Sequence, residues 1–249
     1  FNAKKVEQGK IKFDIKNIKY FIEPHIEQGP VLERKKIPLG IVTGIRGSFR
    51  FRNAKCVGEY LHSGATPMDY RKDAVVAVSS LVNEMNLYWK DQLKKGVDLT
   101  VTFGQFYTDN EEHSFAKSAG LVNFCIDVRS NSKKVLETTK KQLLKKINKI
   151  EKNTKTKIIL GKETNSAPAI MNKKLVKIFN SYSKSIGTRS EIMASGAGHD
   201  SSIFANYGIP SLMLFIRNKN GSHNPNEFMD IKYFIDVFKV LHGVITKKM

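Results

Sequence analysis

Apolar positions along the chain change period in a way that marks out its elements. Leu39–Ile45 is a short β-branched run of the kind that forms a buried strand, and Gly47 breaks it. Phe49–Tyr60 reads as a strand. Asp69–Trp89 then carries helical spacing through Ala74, Val75, Val78, Leu81, Val82, Met85 and Trp89, with Asp69 as its N-cap. Leu99–Phe106 and Leu121–Val128 alternate like strands, Lys133–Ile150 is an amphipathic helix, and Lys157–Leu160 is a short strand. Further on, the pattern predicts a helix over Leu175–Ile186 ended by Gly187, a short helix from His199 to Tyr207, a strongly apolar strand over Ile209–Ile216 and a closing helix over Ile231–Val244.

The β-α-β-β-α-β order between Phe49 and Leu160 is that of a ferredoxin-like unit, with four antiparallel strands and both helices on one face. It sits inside a chain that otherwise alternates as α/β. The reading is therefore an α/β protein with a compact insert: 1–47 as the first piece of the outer domain, 48–162 as the insert and 163–249 as the second piece, with Asn165–Pro168 as a linker. Neither outer piece has enough strands for a sheet alone, so the two pack together.

Composition narrows the class. The chain has 249 residues and 41% hydrophobic content, with no long uncharged apolar run, which fits a globular protein without a membrane span. Cys56 and Cys125 are far apart and form no Cys-x-x-Cys pair, which suits a reduced, cytoplasmic setting. A net charge of +19 invites a nucleic-acid reading. The lysines are spread over the solvent faces of helices, as in Lys133–Lys157, and no RNP-like aromatic run exists, so no nucleic-acid partner is expected.

Three polar turns carry candidate chemistry: Glu23–Pro30 with His25, Gly196–Asp200 with His199, and Ser222–Glu227 with His223. Turns at strand ends are where α/β folds place their sites. Imidazole with nearby carboxylates, here Glu23 and Glu27 beside His25 and Glu227 beside His223, is a zinc-type donor set. A lone loop histidine is also commonly a surface residue. His199 and Asp200 either support groups behind a site or cap a helix, and the sequence leaves both open.

The runs His25-Ile-Glu-Gln-Gly-Pro30, Gly40–Ile45, His62-Ser-Gly-Ala-Thr-Pro67 with Arg71 and Asp73, Asp127-Val-Arg-Ser130, Ser195-Gly-Ala-Gly-His-Asp200 and Gly221–Glu227 together resemble the allantoate amidohydrolase and N-carbamoyl-L-amino-acid hydrolase family, which is related to zinc aminoacylases and carboxypeptidases. The resemblance implies a zinc-exopeptidase-like α/β domain with an inserted lid and dimerisation domain. It also implies hydrolysis of an N-carbamoyl or ureido C–N bond, a small-molecule substrate and a homodimer. Two divalent ions, Zn or Mn, would be held in part by His25 and His223. By the same resemblance His62 would reach the active site of the partner subunit in a dimer and bond the developing oxyanion there, Arg129 would clamp the substrate carboxylate, Gln28 would bond the substrate, and Gly196 and Ala197 would line the pocket.

The match departs from the family in three places. Where the family usually shows Asn-x-Ile-Pro-Gly, its Asn touching the substrate, this chain reads Ala116-Lys-Ser-Ala-Gly120. Phe49 stands where allantoate-cleaving members place an Arg, and Arg50, next to it on a strand, is expected on the opposite face. The family's His-x-Asp stretch and Glu-Glu pair, which supply the bridging Asp, the base and another ligand, have no counterpart here, Glu7 and Asp14 lying in no comparable pattern. The expectation is thus the C-terminal portion of such an enzyme; the alternative is a dimerising subunit without activity of its own.

Overall fold

The computed structural model describes residues 15–248, so the opening lysine-rich segment through Asp14, with Glu7 and Asp14, lies outside the described residues. The chain divides into two compact units. One is Arg46–Pro168, and the other joins the piece ending at Ile45 to the piece beginning at Ala169.

The first outer piece supplies β1 (Phe21–Ile26), the short helix α1 (Val31–Lys35) and β2 (Leu39–Ile45). The turn expected over Glu23–Pro30 is corrected here, because Glu23 to Ile26 is strand. Pro24 hid it, since proline has no N–H to give a sheet. β1 is an edge strand, where that loss is tolerated.

The inner unit runs β3 (Gly47–Val57), α2 (Ala74–Lys94), β4 (Thr100–Thr102), β5 (Phe106–Thr108), β6 (Leu121–Ser130), α3 (Lys133–Thr154), β7 (Lys157–Ile159) and β8 (Glu163–Ser166). β3 and β6 form its antiparallel centre, with β4 and β5 along the outer edge of β6 and β7 and β8 along that of β3. The expected four strand positions are thus present, but both edge positions are split. On the β3 side the cause is a register shift between Phe51 and Ala54, which leaves β8 to pair Ser48–Phe51 and β7 to pair Lys55–Val57. Asn165 and Ser166 of the linker expected at Asn165–Pro168 therefore belong to strand β8, and Ala167 and Pro168 follow it.

Strict alternation along β6 buries Val122, Phe124, Ile126 and Val128 in one core with Ala77, Leu81 and Met85 of α2 and Leu143 and Ile147 of α3. The opposite face of β6 carries Asn123, Cys125, Asp127 and Arg129. Helix α2 begins later than its spacing suggested: its cap is Asp73, whose carboxylate accepts from the Val75 and Val76 amides at 2.9 and 3.1 Å, while Asp69 lies in a separate single turn. Gly47 is required where the unit's two ends meet, because a Cβ there would stand 2.4 Å from the Pro168 nitrogen.

The second outer piece adds β9 (Ala169–Ile170), α4 (Lys173–Ser185), β10 (Ser190–Ser195), α5 (Asp200–Asn206), β11 (Ser211–Ile216) and α6 (Ile231–Lys248). The outer sheet has the order β1-β11-β2-β10, with β9 also on β2. β1 runs parallel to β11, β11 antiparallel to β2, and β10 parallel to β2. Every residue of β11 is buried, as its uninterrupted apolar run requires. Among the described residues no helix is long and apolar enough to cross a membrane.

Candidate functional site

Because β1 and β11 are parallel and His25 pairs with Phe215, the chain leaves both strands at the same end of the sheet. The Glu27 amide donates to the Ile216 carbonyl at 3.0 Å and extends the ladder by one step. The buried Glu27 carboxylate then accepts from the Val31 and Leu32 amides at 2.8 and 2.7 Å, holding the start of α1. Between them Gln28 takes a left-handed backbone, φ 64°. Its amide donates to Asn218 Oδ1 at 3.1 Å, and Asn218 Nδ2 donates to the Gly221 carbonyl at 2.7 Å. Asn218 thereby ties the turn after β1 to the loop after β11. That loop presents His223, also left-handed at φ 59°, and the Gln28 side-chain Nε2 lies 3.3 Å from His223 Nε2. The His223 amide donates to Glu227 Oε2 at 3.1 Å.

His25 is oriented from its other nitrogen. Nδ1 lies 2.7 Å from the Ile26 carbonyl, an acceptor, so Nδ1 carries a proton, and in the neutral ring the lone pair is on Nε2. The His199 ring stands edge-on to that of His25 with centroids 4.6 Å apart, and against Phe215 at 5.9 Å. His199 Nε2 is buried with no partner among the described residues. Burial lowers the pKa of this imidazole, the nearby His25 lowers it further, and Glu23 and Asp200 oppose both effects. Of the two roles left open for His199, the structure places it as N-cap residue of α5 without a side-chain cap bond, its ring packed into the site instead. Glu23 Oε2 accepts from the Ser201 amide and hydroxyl at 2.8 and 2.6 Å, so it serves the first turn of α5. The Gly196–Gly198 run carries the chain from β10 to His199, with Ser195 Oγ bonded to the Ala197 amide at 3.2 Å.

The donors suit a metal in kind and fall short in number. His25 offers a free Nε2 behind a backbone-anchored Nδ1, the usual arrangement of a metal-binding imidazole. The flanking carboxylates expected to join it are instead bonded to backbone amides. Among the described residues no group of three or more His, Cys, Asp or Glu is placed to hold a metal ion.

The remaining predicted site residues belong to the inner unit. His62 is exposed, and its Nδ1 accepts from the Gly64 and Ala65 amides at 3.2 and 3.1 Å. That fixes the tautomer with the proton on Nε2, a hydrogen-bond donor. Arg129 lies on the open face of β6, where Nη2 donates to Asp127 Oδ2 at 2.7 Å and Nε to Oδ1 at 3.1 Å. The structure thus pairs His25 with His199 and Gln28 with His223 in one unit, and fixes His62 and Arg129 in the other. The sequence reading missed Asn218, whose only signal was an amide two residues after a buried strand.

The model of peptidase family M20/M25/M40 matches residues 2–247. The allantoate amidohydrolase of Escherichia coli K12 is 34% identical over 226 residues, covering 90% of this chain and 53% of that protein. The N-carbamoyl-L-amino-acid amidohydrolase of Pseudomonas sp. NS671 is 30% identical over 241 residues, 94% of this chain and 55% of that protein. A crystal structure of a hydantoinase/carbamoylase family amidase from Burkholderia multivorans superposes with a TM-score of 0.80 at 26% identity, over 89% of this chain and 53% of that one. The chain spans about half the length of the curated relatives it matches.

Proposed function

We propose that this chain, which belongs to peptidase family M20/M25/M40, forms the substrate-recognising part of an amidohydrolase that cleaves the C–N bond of N-carbamoyl amino acids or ureido compounds. The observation that carries this reading is the meeting of Gln28 and His223. They lie 195 positions apart in the chain, come from two motifs that resemble those of ureido-cleaving enzymes, and sit at 3.3 Å at the strand ends of one sheet.

His25 and His223 would each give one nitrogen to one of two divalent ions, Zn or Mn, with the remaining ligands supplied by residues other than those described. Such a pair, when bound, supplies an activated water. The chain's own residues bind and orient. Arg129, braced by Asp127, presents a planar fork to the substrate carboxylate. His62 offers its Nε2 proton to the oxygen on which charge develops, and two amides fix that tautomer in advance. Gln28 gives its amide to the ureido group. The chain works as a homodimer in a cytoplasmic setting.

That no group of three metal-holding residues occurs among the described ones favours a second reading, a dimerising chain without turnover of its own. Ammonia release from N-carbamoyl amino acids and allantoate with added Mn²⁺ or Zn²⁺ separates the two. The leading reading expects no turnover by this chain alone, and turnover in a longer form that carries the remaining ligands, lost in His25→Ala and in His223→Ala. A longer form that stays inert, while the chain sediments as a dimer, leaves the second reading.

A further inference from the structure

We propose that Arg50 is a specificity-determining residue on the open face of the inner sheet, selecting N-carbamoyl amino acids that bear a second carboxylate. The inference rests on the reading of Arg129 as the clamp for the first carboxylate. In the β3–β6 register Arg50 stands opposite Asp127 and Ser48 opposite Arg129, and directly opposed residues of an antiparallel pair share a face. Phe49, by contrast, is buried in the helix-side core. Asp127 Oδ2 accepts from Arg50 Nε at 3.2 Å and from Arg129 Nη2 at 2.7 Å. Two guanidinium groups therefore share one carboxylate, and the trio keeps one net positive charge.

Arg50 makes only that Nε bond among the described residues, which leaves its terminal nitrogens to a ligand, and its side chain is 29% exposed. Around the trio the register places hydroxyls: Thr102 across from Asp127, Thr100 across from Arg129 and Thr164 across from Arg50. No second acid occupies those positions. Diagonal neighbours across a strand pair are about 7–8 Å apart, so two forks on long arms can converge on the two carboxylates of one small molecule. A shared Asp127 holds both forks in place before the ligand arrives.

Isothermal titration of the chain with N-carbamoyl-aspartate, N-carbamoyl-alanine and succinate tests this, with Arg50→Gln, Arg50→Lys and Arg129→Gln compared and folding checked by circular dichroism. The expected result is tighter binding of N-carbamoyl-aspartate than of N-carbamoyl-alanine, by about tenfold or more for one charge-assisted pair. Arg50→Gln removes that excess, Arg50→Lys restores part of it, and Arg129→Gln weakens both carbamoyl ligands. Binding of both ligands unchanged in Arg50→Gln overturns the assignment and leaves the clamp reading standing, as does absence of any preference in the unaltered chain. Succinate binding that depends on Arg50, with no binding of either carbamoyl compound, supports the two-fork site and removes the ureido reading. A chain that binds none of the three overturns the proposal.

Discussion

The side-chain amide of Gln28 reaches His223 Nε2 at 3.3 Å, and both residues hold left-handed backbone, at φ 64° and φ 59°. Non-glycine residues adopt that region at a cost of about 1 kcal/mol, and they persist there when the surroundings fix them. Asn218 supplies that constraint, through its bonds to the Gln28 amide and to the Gly221 carbonyl.

Gln28→Gly should therefore leave the melting temperature unchanged or raised, by an amount worth up to about 1 kcal/mol, because glycine adopts the same backbone without strain. The same substitution should weaken binding of N-carbamoyl ligands. Thermal unfolding and titration on one sample check both halves, and a large loss of stability would show that the Gln28 side chain has a structural role.

Glu27 supports the turn from below. Glu27→Ala leaves the Val31 and Leu32 amides without their acceptor and should destabilise the outer unit by about 1–2 kcal/mol. Glu27→Gln keeps one acceptor oxygen and should recover part of the loss. Urea unfolding measures it.

The ion pair between Glu33 on α1 and Arg217 after β11, 2.6 Å apart, lowers the Glu33 pKa, chiefly through the Arg217 hydrogen bond. A depressed carboxylate stabilises the fold above its unfolded pKa, and that stability is lost as pH falls through the folded value. Stability of the outer unit should thus decline on acidification below the ordinary glutamate range, and less steeply in Glu33→Gln. Glu33 is 34% exposed, so the effect at neutral pH should stay near or below about 1 kcal/mol. Urea midpoints across pH decide the point.

His199 answers to acidification as well, beginning nearer neutrality. Its imidazole is held neutral by burial, so the unfolded chain takes up a proton near pH 6.5 before the folded one does. Stability is then present above that value and lost as pH falls through the lower folded pKa. His199→Phe keeps the ring against His25 and Phe215, removes the unpartnered Nε2, and should flatten this part of the profile. His199→Ala leaves a cavity and should cost about 2 kcal/mol or more at any pH.

Much of this was readable from the chain, and the exceptions have physical causes. α2, α3 and β6 show their period because each buries one face and exposes the other. The Glu23–Ile26 part of β1 was hidden by Pro24, which an edge strand tolerates and a central strand would not. β10, with the polar sequence Ser-Glu-Ile-Met-Ala-Ser, also runs along an edge and lacks a β-branched run. The split of β7 from β8 follows from a bulge in β3, which leaves no mark in the hydrophobic pattern. His25 and His223 were legible as candidates by motif. That Glu23 and Glu27 serve helix starts was not, since a carboxylate beside a histidine reads the same whether it faces a metal or a backbone amide.

The most direct test of the site is a titration of the isotope-labelled chain followed by NMR at the Gln28 side-chain amide and the His223 ring. The account predicts that N-carbamoyl amino acids or allantoate move both signals together and saturably, and that Gln28→Ala abolishes the His223 response. Saturable binding that leaves both signals unmoved, or that persists undiminished in Gln28→Ala and His223→Ala, would contradict it.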